Sequence, residues 1–374
     1  MAATGTDRGW LVRPVARAWR CPAPEAGARA FHTSLPGYRP TPLVTMPDLA
    51  ARWGVGTVVV KHEESRFGLP AFKALGASWA AARLLADRAG LDVPGVRLER
   101  LRDVAAQAPV TLVTATDGNH GRALARVGAW LRLPVEVLVP DVLSAAAEAA
   151  IAAEGARVTR VDGSYDDAVA AAARLTGQLP DAALVQDTAW DGYETVPAWI
   201  VEGYQTMLTE LDEQLADQGL WPASLVAVPV GVGSLAQAVI AHAHSAPDPV
   251  RVLSCEPDTA ACVLASVAAG EPVSVPTAAT VMAGLNCGTP SSLAWPYLRD
   301  GLDAAVAVSD EQARAAVTEL AAAGIPAGAS GAAALAGASA CLDDPDRRAA
   351  LDLPADAVVV LLNTEAAGRA GGLA

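Results

Sequence analysis

The chain has 27 basic residues, and only Lys61 and Lys73 are lysines; all the others are arginine. A primary amine can lose its proton near neutral pH and condense with a carbonyl, whereas a guanidinium cannot. A lysine retained in so arginine-biased a chain is therefore a candidate for amine chemistry. Lys73 is the better placed of the two. It follows the irregular run Glu64-Ser65-Arg66-Phe67-Gly68-Leu69-Pro70 and opens an expected helix over 71–89. The positive N-terminal end of a helix lowers the pKa of an ammonium, which is what Schiff-base formation needs. Phe72 beside it is suited to support an aromatic ring. The alternative is an ordinary helix-start lysine next to a core phenylalanine.

Four more segments place polar groups where a strand ends and a helix begins. In Thr114-Ala115-Thr116-Asp117-Gly118-Asn119-His120-Gly121-Arg122, the backbone N–H groups around Thr116 and Gly118 suit a carboxylate. Asn119 can hydrogen-bond a phenolic oxygen, and Asp117 can accept a proton. His120 reads as a packing residue more readily than as a catalyst. An ordinary N-cap turn explains the same residues. In Pro229-Val230-Gly231-Val232-Gly233-Ser234-Leu235, glycines let backbone amides approach a phosphate. The segment lacks both G-x-G-x-x-G spacing and a G-K-[S/T] ending, which disfavours dinucleotide and nucleoside-triphosphate sites. Asp187, in Asp187-Thr188-Ala189-Trp190-Asp191-Gly192-Tyr193-Glu194, stands at an expected strand end, where a catalytic acid or base belongs; an Asx turn is the alternative. Thr364, in Leu361-Leu362-Asn363-Thr364-Glu365, has a hydroxyl to offer a ring nitrogen, or merely ends a strand.

The elements that must carry these residues alternate. Apolar strands are predicted at 57–61, 109–115, 135–139, 157–161, 183–186, 225–230, 250–255, 304–308 and 357–362. Helices are predicted at 71–89, 120–131, 145–154, 165–176, 194–214, 235–244, 259–268, 310–323 and 331–340. Apolar strands each followed by a helix imply an α/β protein with parallel sheets covered on both faces, and such sheets bind ligands at the carboxyl ends of their strands. Breaks are expected at 93–108, 215–223 and 272–276. The length of 374 residues suggests two domains, with a compact unit at about 109–203 and a second sheet built from the flanking parts.

A hydrophobic fraction of 52% excludes wholesale disorder. A net charge of −14 with no sustained basic run argues against nucleic-acid partners and against adhesion to anionic membranes. No window of about 18 strongly apolar residues suggests a membrane span. The five cysteines, Cys21, Cys255, Cys262, Cys287 and Cys341, are scattered, which points to free thiols in a reducing, intracellular setting. His242 and His244 do not share a helix face, so no metal site is read there. The N-terminal stretch with Arg8, Arg13, Pro14, Arg17 and Arg20 resembles a transit peptide in composition, but a flexible lead-in is the preferred reading.

Taken together, the motifs resemble the fold-type II pyridoxal-phosphate enzymes, and most closely the diaminopropionate ammonia-lyase family. The matches run in family order over about residues 31–365: Tyr38-Arg39-Pro40-Thr41-Pro42-Leu43, Arg66-Phe67-Gly68 through Lys73, Thr116 through Arg122, Asp187 through Tyr193, Gly231-Val232-Gly233, Cys255-Glu256-Pro257-Asp258 and Met282-Ala283-Gly284-Leu285. Asp117, where related dehydratases have a small residue, and the Asp187–Tyr193 run are the most discriminating.

The resemblance implies a large cofactor-binding domain in two parts, 31–108 and 204–374, with a smaller α/β domain inserted at 109–203. It implies that Lys73 binds pyridoxal 5′-phosphate as a Schiff base. Phe72, Asn119 and Thr364 would contact the cofactor, and Gly231, Val232, Gly233, Ser234 and Leu235 would cradle its phosphate. Asp117 and Asp187 would be the acid/base pair, with freed Lys73 as a competing base, while Thr116, Gly118, His120 and Tyr193 would hold the substrate. The implied reaction removes the β-amine of 2,3-diaminopropionate and ends in pyruvate and ammonia. The alternatives are elimination or β-replacement on another β-substituted alanine, serine or threonine, and a non-catalytic binding protein on the same fold. A cytoplasmic homodimer is also implied. Two positions depart from the family pattern: Ala366, where glycine is expected after Thr-Glu, and Ala329, where an acidic residue is expected.

Overall fold

The computed structural model describes residues 9–93, 95–246, 248 and 250–367. The chain forms two compact units. One comprises residues 9–24, Pro40–Ser65 and 207–367; the other comprises Glu25–Arg39 and Arg66–Thr206. Among the described residues no helix is long and apolar enough to cross a membrane.

Among the described residues there are eleven strands: β1 (Trp10–Val12), β2 (Leu43–Thr45), β3 (Thr57–His62), β4 (Thr111–Ala115), β5 (Val135–Pro140), β6 (Arg157–Val161), β7 (Ala182–Leu184), β8 (Leu225–Pro229), β9 (Arg251–Pro257), β10 (Ala304–Val308) and β11 (Val358–Asn363). The first unit holds a seven-stranded sheet in the order β1-β10-β9-β8-β11-β3-β2. Its five central strands are parallel, and β8 and β11 are buried along their whole length, as their unbroken apolar runs require. The second unit holds a four-stranded, wholly parallel sheet in the order β6-β5-β4-β7. Val113, Ala115 and Leu138 of that sheet pack against Ala168 and Ala172 of the helix Tyr165–Gln178.

The nine predicted strands are all present, but the larger sheet is mixed rather than parallel. Its two edges, β1 and β2, run antiparallel to their neighbours. Each is only three residues long, too short for a periodicity to mark it. The stretch read as a flexible lead-in is thus a paired edge strand from Trp10, followed by a 3-10 turn over Pro14–Ala18. Arg17 there donates to the Leu351 carbonyl at 2.9 Å and pairs with Asp352 at 3.1 Å. Arg8 lies outside the described residues.

The break expected at 93–108 contains a helix, Leu98–Gln107, which buries Leu98, Leu101, Val104 and Ala105 at helical spacing; its charged outer face hid it. This helix and the helix Lys73–Arg88 both belong to the four-stranded unit, so the units part at 65/66 and 206/207 rather than at 108/109 and 203/204. The reason is packing: Lys73–Arg88 lies against Asn119–Leu131, which covers the smaller sheet.

Candidate active site

In the four-stranded unit, the position of Lys73 follows from a close helix crossing. A Cβ on Gly76 would lie 2.6 Å from Ile200 Cγ2 and 2.7 Å from Tyr204 Cε1, and a Cβ on Gly203 would lie 2.5 Å from the Leu75 carbonyl. Only glycine at both positions lets the helix Lys73–Arg88 and the helix Thr195–Asp217 approach this closely. Phe72, the N-cap residue of the Lys73 helix, packs its ring at a 55° tilt against Tyr204 with centroids 4.8 Å apart, and the Lys73 ammonium stands 5.4 Å from the Phe72 centroid.

Lys73 Nζ donates to Asp187 Oδ2 at 2.6 Å. Asp187 is held by a network behind it. Gln186 Oε1 accepts from Thr114 Oγ1 at 3.0 Å and from the Ala115 amide at 2.9 Å, tying the ends of β4 and β7 together. Gln186 Nε2 donates to Tyr165 Oη at 2.8 Å. Tyr193 Oη donates to the Leu184 carbonyl and accepts from the Gln186 amide, each at 2.9 Å. His120 Nε2 lies 2.8 Å from the Val185 carbonyl oxygen, and Nδ1 lies 3.8 Å from Asp187 Oδ2.

Burial works against both charges of the Lys73–Asp187 pair. For Lys73 it lowers the pKa, but the Asp187 carboxylate outweighs it, and the amine ends above the usual lysine value. The lowering expected from the helix end is overturned, because a full charge at 2.6 Å outweighs the half charge of a helix terminus. For Asp187, burial raises the pKa, but His120 and Lys73 pull it down to about 2. The unengaged amine is therefore a protonated, hydrogen-bonded ion pair.

The Thr116–Asn119 turn is braced by its own side chain. Thr116 Oγ1 accepts from the Gly118 and Gly121 amides, both at 3.0 Å. The Gly118 N–H expected to meet a substrate carboxylate is thus already engaged. Asn119 begins the helix Asn119–Leu131, and Asp117 is exposed, with its charge felt at Lys73. Tyr193, assigned to substrate from the sequence, bonds backbone groups through its hydroxyl and fixes the chain on which Asp187 stands. Gln186 and Tyr165 were missed because their roles depend on β4 and β7 lying side by side.

In the seven-stranded unit, Gly231–Ser234 joins β8 to the helix Ser234–His244. Gly233 has φ +98°, and a Cβ there would meet Leu298 Cδ1 at 2.8 Å. The loop is tied down by the Ser291 amide, which donates to the Val232 carbonyl at 2.8 Å, and by Cys262 Sγ on the Gly231 carbonyl at 3.6 Å. Cys262 stands at the head of a helix whose Val263 and Leu264 amides both donate to the buried Glu256 at 2.8 Å. Leu235 lies in the first turn of its helix, where amides have no intrahelical acceptor and favour an anion. Thr364 is buried just past the end of β11, and the neighbouring Asn363 Nδ2 lies 2.8 Å from His62 Nδ1.

The other lysine is structural. Lys61, fully buried, donates to the Thr41 carbonyl at 2.9 Å, to Glu210 Oε2 at 3.1 Å and to Gln214 Oε1 at 2.8 Å. Amine chemistry is left to Lys73. All five cysteines are free.

A family of pyridoxal-phosphate dependent enzymes matches residues 34–365. The diaminopropionate ammonia-lyase of Escherichia coli (strain K12) is 36% identical over 355 residues, covering 90% of this chain and 87% of that protein. The chain belongs to the diaminopropionate ammonia-lyase family of pyridoxal-phosphate-dependent enzymes. The crystal structure of the E. coli enzyme in complex with D-serine matches this fold with a TM-score of 0.87 at 34% identity, over 96% of this chain and 93% of that one. The same enzyme in complex with an aminoacrylate-PLP azomethine reaction intermediate matches with a TM-score of 0.80 at 34% identity, over 91% and 87%. The family's architecture is fold type II, its cofactor is pyridoxal phosphate, and its enzymes are ammonia-lyases.

The residues present fit that cofactor. Of the two lysines, Lys61 is sealed by Glu210 and Gln214, whereas Lys73, paired with Asp187, keeps a partly exposed amine that suits a carbonyl. Gly231 and Gly233 leave a cradle that side chains would fill: a Cβ on Gly231 would stand 3.0 Å from Cys287 Sγ. The first turn of Ser234–His244 supplies amides suited to a phosphate.

Proposed function

We propose that the protein converts 2,3-diaminopropionate and water to pyruvate and two ammonia by α,β-elimination. The observation that carries this reading is the hydrogen-bonded pair of Lys73 and Asp187, in a unit that bears a second carboxylate, Asp117, felt at the same amine. Family membership supports the choice of substrate.

Bound pyridoxal phosphate supplies the electron sink that makes Cα–H acidic and allows a β-substituent to leave. The chain supplies the rest. Lys73 provides the amine that anchors the cofactor, and Asp187 orients that amine. Asp117 and Asp187 take up the α-proton, each serving one substrate enantiomer. The Gly231–Leu235 amides hold the phosphate. Asn119 would meet the phenolic oxygen, and Phe72 would back the ring. Thr364 would offer a neutral hydroxyl to the ring nitrogen, which, unlike a carboxylate, would not fix a full positive charge there and so would favour prompt loss of the β-group. Thr116, Gly118 and His120 shape the substrate end. A cytoplasmic homodimer acting on a small amino acid completes the proposal, resting on the family resemblance.

Purified holoenzyme assayed with a panel of amino acids tests this. Diaminopropionate should yield two ammonia per pyruvate with the highest kcat/KM. Serine or threonine turned over faster, with one ammonia per keto acid, would replace the reading with that of a related dehydratase. D-serine bound to the E. coli relative makes β-hydroxy amino acids the second substrate class to test. No turnover with any substrate, and no Lys73-dependent absorbance, would leave a binding protein.

A further inference from the structure

Thr364 leaves the sheet at the end of β11, and its direction is set by the residue after it. The Glu365 carbonyl accepts from the Gly328 amide at 3.1 Å, and Glu365 Oε1 accepts from the Ser330 amide at 3.2 Å. Ser330 lies in the first turn of the helix Ala329–Leu342, whose N-cap, Gly328, has no side chain to offer. The carboxylate of Glu365 thus provides the cap from a distant part of the chain.

The fit is close on every side. A Cβ on Gly328 would lie 2.5 Å from Glu365 Oε1, and one on Gly331 would lie 2.1 Å from Asn363 Oδ1 and 2.9 Å from the Glu365 amide.

Ser330 carries the connection onward. Its Oγ accepts from the Gly284 amide at 3.2 Å, within the 3-10 turn Ala283–Leu285. That turn lies against the glycine loop: a Cβ on Gly231 would meet Leu285 Cα at 3.3 Å and the Gly284 carbonyl at 3.5 Å. One continuous set of contacts therefore runs from Thr364 through Glu365, Ser330 and Gly284 to Gly231, all within the seven-stranded unit. We infer that Glu365 and Ser330 are positioning residues, which hold Thr364 and the phosphate loop in the register that a pyridine ring and its phosphate require. The inference rests on the cofactor reading above and goes beyond it in naming what sets the site.

The test uses holoenzyme of the wild type, Glu365→Ala, Glu365→Gln and Ser330→Ala. The pyridoxal phosphate concentration for half-occupancy is read from the absorbance of the Lys73-bound cofactor, and kcat and KM are measured separately. Glu365→Ala should raise the half-occupancy concentration about tenfold and lower kcat with little change in KM, as expected for loss of one charge-assisted hydrogen bond. Glu365→Gln, which keeps an amide oxygen as acceptor, should stay within about threefold of wild type. Ser330→Ala keeps its backbone amide and loses only the Gly284 contact; it should also weaken occupancy, and it decides the question if Glu365→Ala does not fold. Wild-type occupancy in both alanine variants overturns the inference. So does a Glu365→Gln variant that falls as far as Glu365→Ala with its melting temperature. A wild-type protein that forms no Lys73-dependent band overturns the cofactor reading instead.

Discussion

Replacing Asp187 by asparagine should make Lys73 far more reactive in the cofactor-free protein. The ion pair spans 2.6 Å, and its side chains are 26% and 11% exposed, so solvent screens it only partly. Burial raises the carboxylate, but attraction from His120 and Lys73 outweighs it and holds the group at about 2 against an ordinary 3.8. The Lys73 share of that attraction acts equally on the amine. With burial still lowering the Lys73 pKa and the counter-charge gone, the free-amine fraction at pH 8 should rise by roughly one to two orders of magnitude, each unit being tenfold. The assay is acylation with an amine-directed reagent followed by peptide mass spectrometry. Only two lysines need to be followed, and Lys61, sealed by Glu210 and Gln214, is the internal control. An unchanged or slower reaction at Lys73 would refute the argument. The pair also sets a pH signature. Asp187 has a lowered pKa, so its stabilisation is present above pH 3.8 and fades as pH falls through about 2. Lys73 has a raised pKa, so its share is present below 10.5 and is lost as pH rises through the raised value. The stability gap between wild type and Asp187→Asn should therefore be flat from about pH 5 to 9 and shrink below about pH 3.

Further outcomes follow from the same geometry. Asp117→Asn and Asp187→Asn should each depress kcat/KM for one enantiomer of diaminopropionate at least about tenfold more than for the other, given the size of a general-base contribution; equal losses on both enantiomers would remove the two-base assignment. Lys61→Met should cost about 3–5 kcal/mol in urea unfolding, because it leaves the buried Glu210 carboxylate without its cation; a loss below about 1 kcal/mol would mean that Glu210 reaches water. Gly233→Ala should destabilise by about 1–3 kcal/mol and weaken pyridoxal phosphate binding, since its φ is +98° and the added carbon meets Leu298 at 2.8 Å; unchanged affinity in fluorescence titration would show that the loop does not hold the phosphate.

The sequence by itself determined the class of chemistry and the elements that carry it. Two lysines among so many arginines singled out an amine, and glycines after the Leu225–Pro229 run marked a place for an anion. Nine strands and most of their helices were legible because strands in covered sheets carry runs of apolar or β-branched residues, a local property. The tertiary structure decided which lysine is available: Lys61 is sealed by Glu210 and Gln214, and nothing near it in sequence says so. It also decided the charge state of Lys73, set by a carboxylate 114 residues away rather than by its own helix. The bracing role of Tyr193 depends on folding for the same reason, since its acceptor and donor are backbone groups of the strand end carrying Asp187. The short edge strands, the Leu98–Gln107 helix and the Glu365 cap stayed hidden too. Composition and periodicity report how a residue meets water, but pKa values, hydrogen-bond partners and edge pairings depend on groups brought within a few ångströms by folding, and those distances are written nowhere in the local sequence.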